Sequence, residues 1–282
     1  MTEKITVIIP TYNNYEGLEY LLKLLSYWEV KVIVMDNQPS SNKKELAEKY
    51  KTSYYAQQEN LGFARVVNKA VSLADTDWVL ILNDDVIFPL ENHLHDYITF
   101  ATKKGWVAAS PILKKLDSTV ENAGYRVLRH GKVELNFDIH NLDIDGLSGT
   151  CLLFRTKVFQ KLSGFDESIF AYLEDVELFM RIKNLEFPFG VLPYEVTHGG
   201  MVTSYSINHL KPKMDFRNWI RIINKHRKDK RFAKSFLPLL LERARNFSGL
   251  VKAYLYGNDL SDRKRLYLKQ LRKAKRQLQN KS

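Results

Sequence analysis

Along the chain, short apolar runs alternate with stretches in which apolar residues recur every three or four positions. Lys4–Pro10 (KITVIIP) is almost unbroken apolar sequence and predicts a buried strand, and Leu18, Leu21, Leu22 and Leu25 behind it predict an amphipathic helix. The pair repeats: Val30–Met35 (VKVIVM) precedes a charged helix around Lys43–Tyr50, and a weaker strand at Ser53–Gln57 precedes Phe63–Ala74, whose apolar face is Val66, Val67, Ala70, Val71 and Ala74. Trp78–Phe88 (WVLILNDDVIF) is the fourth strand and stops abruptly at Asn83-Asp84-Asp85. This alternation predicts an α/β fold, a mostly parallel sheet with helices on both faces. Right-handed crossovers then place the turns after the strands along one edge.

The second half is less regular. Trp106–Ser110 reads as a strand, residues 113–146 alternate poorly and are expected to cover a site, and Ser148–Phe154 (SGTCLLF) resumes a strand pattern. A helix at Thr156–Leu162 stops at Gly164, and Tyr172-Leu173-Glu174-Asp175 opens a helix with Val176, Leu178, Phe179 and Ile182 as its apolar positions. A last strand, Phe189–Leu192, runs into Val196-Thr197-His198-Gly199-Gly200.

Three turns are predicted to converge: Pro10–Asn13, Asp36-Asn37 and Asn83–Asp85. The crevice beyond the carboxyl ends of parallel strands is where ligands meet such sheets, and carboxylate and amide oxygens there suit a hard divalent cation. The triplet reads equally as an Asx turn ending a strand. Glu174 and Asp175 stand at a helix amino terminus, where the dipole favours an ionised carboxylate, and either a catalytic or a capping role fits. His198 before two glycines reads as a ligand on a loop or as a surface imidazole. The first turn, PTYNNYEG, lacks G-x-G-x-x-G, and no G-x-x-x-x-G-K-[ST] occurs, so a bound phosphate would need other neutralisation, with Asp85 the candidate for a cation.

At 282 residues and 45% hydrophobic content the chain can bury a full core. No run reaches the roughly 18 apolar residues of a membrane span, and the amino terminus enters the strand pattern without a signal-peptide layout, so a cytoplasmic location is expected. The single cysteine, Cys151, can form neither an internal disulfide nor a thiolate metal site and is expected to be a buried strand residue. Charge divides unevenly. Residues 211–282 hold 22 Lys/Arg against 5 Asp/Glu, net +17, and residues 1–210 hold 21 against 27, net −6. A basic segment on a mildly acidic body implies docking on something anionic.

Taken in order, VIIPTYNN, VIVMDNQPS, ENLGFARVVNKA, LILNDDV, SGTCLLFRTKVFQKLSGFDESIF, YLEDVELFMRIK and VTHGG make the chain resemble a family 2 inverting glycosyltransferase with the nucleotide-diphospho-sugar transferase (GT-A) fold. The resemblance covers about residues 4–205, and D-N-Q-P-S, N-L-G-F-A-x-x-x-N and the FDE…ED spacing are similar to the bacterial rhamnosyltransferase-like subgroup of cell-wall and O-antigen assembly. It implies that Asp85, the last Asp of the family's D-x-D motif, binds a Mn2+ or Mg2+ ion bridging the donor diphosphate, and that His198 completes the coordination. It implies Asp175 of the E-D motif as the base that deprotonates the acceptor hydroxyl. Pro10, Thr11, Tyr12, Asn13, Asp36, Asn60, Gly62, Asn68, Asn83 and Asp84 fall at donor-binding positions, with Asp36 nearest the base and ribose. Two departures stand out: Asn83 replaces the first Asp of the metal motif, and Asp145-Gly146-Leu147 stands where the family often has tryptophan.

The expected activity is inverting, metal-dependent transfer of one sugar per encounter from a UDP- or dTDP-sugar to a hydroxyl of a glycan or lipid-linked acceptor. Q-x-x-R-W and membrane spans, which processive synthases of the family carry, are absent from the sequence. A nucleic-acid-binding reading rests on the basic segment with Tyr254, Tyr256 and Tyr267 interleaved, but no zinc-finger or RNA-recognition motif accompanies it, and no nucleic-acid partner is expected. A catalytically silent scaffold is disfavoured by Asp85, Asp175 and His198 together.

The expected division is a catalytic domain at 1–210 and a basic helical extension at 211–282. In the extension, Phe236, Leu237, Leu240, Ala244, Phe247, Val251 and Leu255 form one apolar stripe, Gly257-Asn258 breaks it, and Leu268, Leu271, Ala274 and Leu278 form a second. These stripes either face an anionic membrane surface, making the protein peripheral on the inner face of the membrane, or pack on the body; the helices are also a candidate surface for homo-oligomerisation.

Overall fold

A computed structural model of the chain describes residues 3–28, 30–89, 94–128, 131–200, 211–229 and 261–280, and between the last two stretches residues 232, 237, 240–245, 247, 248 and 251. Phe236, Tyr254, Leu255, Tyr256 and Gly257-Asn258 lie outside the described residues.

Strands β1 (Ile5–Thr11), β2 (Lys31–Asp36), β3 (Ser53–Ala56) and β4 (Trp78–Leu82) are parallel and lie in the order β3-β2-β1-β4. Helices α1 (Tyr15–Ser26), α2 (Ser41–Lys49) and α3 (Gly62–Ser72) connect them. Side chains alternate across a strand, so the apolar runs of β1 and β4 feed two cores. Val7, Ile9, Leu80 and Leu82 meet the leucines of α1 on one face, and Ile8, Val79 and Ile81 meet Val66, Val67, Ala70 and Val71 of α3 on the other.

Past β4 the strand direction changes. Chain order continues through β5 (Val86–Ile87), α4 (Leu94–Lys103), β6 (Ala108–Lys114), β7 (Val120–Asn122) and the hairpin of β8 (Tyr125–Val127) and β9 (Val133–Leu135) before β10 (Cys151–Arg155) returns to the sheet. β10 enters from the end where β4 stops and therefore pairs antiparallel with both β4 and β6. After α5 (Thr156–Lys161) and α6 (Glu174–Asn184), β11 (Phe189–His198) lies parallel to β6, longer than its apolar run implied, and β5 pairs antiparallel at its outer side.

Two helices of the basic segment rest on this body. Trp219 and Ile222 of α7 (Lys211–Lys225) bury against Val176 and Met180 of α6 with Phe232, so α6 is covered on both sides. On α8 (Ser261–Gln279), Tyr267, Leu271, Ala274 and Leu278 join the α1 core, Lys275 pairs with Glu19, and Gln270 donates to the Leu116 carbonyl. The second apolar stripe therefore packs on the body. The Tyr267 ring fills space that only glycine leaves at position 199, where an added Cβ would lie 2.7 Å from it.

Candidate active site

A cavity of about 390 Å³ opens at the sheet edge where β1 and β4 end and β10 begins, a size that suits a small polar ligand. Pro10, Thr11 and Tyr12 line it, and Asn13 is exposed outside the lining. The inward residue of that turn is Asn14. Its Oδ1 caps α1 by accepting from the Gly17 amide at 3.2 Å, and its Nδ2 donates to the Asp84 carbonyl at 2.8 Å. Its place just before an amphipathic run was the signal for it.

The second wall holds Asn37, Asn60 and Gly62. Asn37 accepts from the Leu61 amide and donates to the Gly62 carbonyl, and Asn60 Oδ1 accepts from the Gly62 amide at 3.0 Å. Gly62 has φ +80°, and a Cβ there would stand 2.4 Å from the Phe170 carbonyl, so the approach requires glycine. Asp36 and Asn68 lie outside the lining. The Asp36 carboxylate is fully buried and accepts from Lys43, the Gln38 amide and the Tyr54 hydroxyl, a set that ties β2 to the chain behind it. Asn68 clips α3 to the Phe165 amide and carbonyl.

In the Asn83–Asp85 triplet the two carboxylates turn different ways. Asp84 Oδ2 accepts from Thr11 Oγ1 at 2.7 Å, locking the ends of β1 and β4 together. Asp85 Oδ1 is buried without a hydrogen bond, and His198 Nε2 stands 3.5 Å from it, because β11 pairs with β5 in the register His198 to Val86. His198 Nδ1 lies 2.8 Å from Glu121 Oε2 on β7. Burial opposes charge on this imidazole, but the Asp85 and Glu121 carboxylates prevail and push it up to about 10. So charged, the ring bridges the Asp85 and Glu121 carboxylates; a cation bound at Asp85 would displace the Nε2 proton, while Nδ1 keeps its own for Glu121, the arrangement in which a carboxylate orients a metal-ligating histidine. No three His, Cys, Asp or Glu side chains gather around one point among the described residues. The orphaned oxygen and the facing imidazole nonetheless fit a hard cation that takes its remaining ligands from a bound phosphate and water.

Across the cavity stand Glu174 and Asp175, at the start of α6. Asp175 Oδ2 accepts from the Gly149 amide at 3.0 Å and Oδ1 from the Val176 amide at 2.8 Å. Burial raises its carboxyl above the usual carboxylate range, and those two amides draw it partly back. Glu174 is pushed up to about 8, first by burial and then by the Asp175 charge, and its Oε2 is buried with no hydrogen bond. Tyr172 and Leu173, just ahead, both sit at φ +68°. Such strained residues persist only where their surroundings hold them. Here Asn218 of α7 donates to the Ala171 and Tyr172 carbonyls at 2.9 and 2.8 Å, and Lys211 Nζ lies 4.3 Å over the Tyr172 ring at the pocket wall. Glu121, Lys211 and Asn218 are neighbours that the sequence did not single out, and none of them carries a motif of its own; Asn37 was expected only as part of the Asp36-Asn37 turn, and Gly149 only as part of the SGTCLLF strand.

The matching model is Glycosyl transferase family 2, over residues 6–163. Rhamnosyltransferase WbbL of Escherichia coli (strain K12) is 25% identical over 62% of this chain and 75% of its own. N-acetylglucosaminyl-diphospho-decaprenol L-rhamnosyltransferase of Mycobacterium tuberculosis (strain ATCC 25618 / H37Rv) is 25% identical over 63% and 70%. Among solved structures, the mannosyltransferase PcManGT from Pyrobaculum calidifontis, in complex with GDP-Man and Mn2+, superposes with a TM-score of 0.60 at 16% identity, covering 92% of this chain and 77% of that one. That likeness establishes the GT-A fold. The model's match runs from β1 past α5 and takes in the turns that build two walls of the pocket, so the chain belongs to glycosyl transferase family 2 and is a glycosyltransferase.

Proposed function

We propose that the protein transfers one sugar, with inversion, from a UDP- or dTDP-sugar to a hydroxyl of a glycan or lipid-linked acceptor in the assembly of a bacterial surface polysaccharide. The observation that carries this reading is the placing of Asp175 and of the Asp85–His198 pair on the lining of one pocket. Inverting transfer needs one base on the acceptor side and stabilisation of the leaving group on the other. Asp175, its oxygens aimed by the Gly149 and Val176 amides, takes the acceptor hydroxyl proton as that oxygen bonds to the anomeric carbon and the bond to the diphosphate breaks. Burial and the Asp175 charge both raise Glu174, so Asp175 is the carboxyl of the pair that ionises first. Asp85 and His198 would hold Mn2+ or Mg2+, and a bound ion supplies positive charge to the departing diphosphate. Thr11, Asn37, Asn60 and Asn83 offer polar groups for the nucleotide at the same edge.

The names of the relatives support a rhamnosyl donor and, for the mycobacterial protein, an acceptor whose sugar is linked to a lipid through a diphosphate. The test is incubation with a panel of UDP- and dTDP-sugars and a synthetic lipid-diphosphate saccharide, with the product read by mass spectrometry and its anomeric configuration by NMR. An inverted product is expected. A product with retained configuration, or neither transfer nor donor binding across the panel, overturns the proposal.

A further inference from the structure

The described residues of the first apolar stripe of the basic segment are exposed rather than packed on the body. Residues 240–245 are helical, as are 237, 247, 248 and 251. Leu237, Leu240, Leu241, Phe247 and Val251 expose between 42% and 63% of their surface, and with exposed Ala244 they recur at the spacing of one helix face. Isolated exposed leucines are ordinary, but a contiguous row of them marks an interaction surface. The other side of this stretch is tied down: the Arg243 guanidinium lies 5.3 Å over the Trp219 ring and donates to the Gly131 carbonyl. Gly131 lies in the turn of the β8–β9 hairpin, which contributes Val133 and Leu135 to the pocket wall. Just beyond it Phe137, Ile139 and Leu142 are also exposed, Leu142 by 75%. Two exposed apolar groups from distant parts of the chain thus flank one wall of the pocket.

Charge selects the occupant. Residues 225–252, the stretch that carries this face, hold nine Lys/Arg against two acidic residues. A second copy would bring two such basic segments together at an electrostatic cost. An anionic bilayer accepts apolar side chains at the acyl boundary and attracts the flanking cations to its headgroups. No helix among the described residues is long and apolar enough to cross a membrane. We infer that this face lies in the plane of an anionic phospholipid surface, with the β8–β9 side of the pocket next to the bilayer. This seating goes beyond the transfer reading and holds whichever sugar is moved.

Co-sedimentation of the full chain with phosphatidylglycerol–phosphatidylcholine vesicles, and with phosphatidylcholine alone, tests the inference without any substrate. Binding to the anionic vesicles at low salt is expected, weakened by salt and poor on phosphatidylcholine. The double variant Leu240→Asp, Phe247→Asp should lose roughly tenfold or more of that binding, since apolar burial and charge act together. Both positions are exposed, so its melting temperature and donor binding should match the parent. Phe137→Ser, Leu142→Asp on the hairpin side should weaken binding independently. The inference is overturned if the full chain stays in the supernatant with anionic vesicles, if the Leu240 and Phe247 variant pellets like the parent, or if phosphatidylcholine binds equally well. It is also overturned if light scattering shows a dimer that the same variant dissociates while vesicles bind neither form.

Discussion

Asp175 Oδ2 sits 3.0 Å from the Gly149 amide, which joins the first turn of α6 to the residues entering β10. The bond aims one carboxylate oxygen while Glu174, its neighbour in sequence, is left protonated with an orphaned oxygen. Asp175→Asn is therefore expected to lower kcat by roughly 10²–10⁴-fold with donor affinity nearly unchanged. Glu174→Gln imitates the protonated acid and should keep most activity at pH 7. Steady-state kinetics on the true acceptor with calorimetric donor titration checks both, and full turnover in Asp175→Asn removes the assignment. Because burial raises the Asp175 carboxyl, transfer should fall with acidification at a pH above the usual carboxylate range, as the base takes up its proton.

Asp85→Ala should abolish Mn2+ binding measured by electron paramagnetic resonance in the presence of a nucleoside diphosphate, and activity should fall with it. The orphaned Asp85 Oδ1 motivates this expectation. Glu121→Gln should weaken Mn2+ binding by roughly 10–100-fold, because the carboxylate would fix the tautomer in which His198 can offer Nε2 to an ion. Undiminished Mn2+ binding in Asp85→Ala would reduce the triplet to a strand-ending turn.

Glu177 on α6 is fully buried and joins the body to α7 through Arg181, Lys225 and His226. Burial alone would raise its carboxyl, but the His226 hydrogen bond and the Arg181 charge hold it down at about 2, against 4.5 for a free glutamate. A depressed folded value contributes stability that is in place above pH 4.5 and is lost as pH falls toward 2. Glu177→Gln should cost about 3 kcal/mol near pH 7, as removal of one partner from a buried charge network does. The cost should shrink as pH falls through that window. Urea unfolding at a series of pH values checks the slope, and a variant with the parent's pH dependence contradicts it.

Tyr267→Ala removes a fully buried ring that α8 inserts beside Gly17 and Gly199, against the Asp84 carbonyl. A loss of about 3–5 kcal/mol is expected from the cavity. The same change should perturb the triplet, visible as weaker nucleotide binding below the melting transition. If thermal melting moves by less than a degree or two, α8 is not part of the core that shapes the site.

Much of the fold was legible because period-2 and period-3.6 apolar patterns report burial locally. β1 through α3, β4 and α6 fall where those patterns put them, and Asn14, the cap of α1, was readable by the same rule. The direction of β10 was not legible, since an apolar strand reads alike whether its neighbours run with it or against it. The two apolar stripes of the basic segment also read alike, yet one is buried on α1 and the described residues of the other face outward. Residue type could not decide between those fates, because burial depends on which surface lies opposite.

The sequence by itself determined the alternation of strands and helices, the edge where their turns collect, and the identity of Asp85, Asp175 and His198 as candidates, all of which follow from local pattern and motif order. Only the tertiary structure decided that Asp36 and Asn68 turn to internal partners, that Glu121 stands behind His198, and that Asn218, outside the expected catalytic domain, holds the turn before Glu174. Glu121 and His198 are 77 positions apart, and Asn218 and Tyr172 are 46 apart. Hydrogen bonds over such separations depend on how strands and helices are brought side by side, and no local periodicity carries that information.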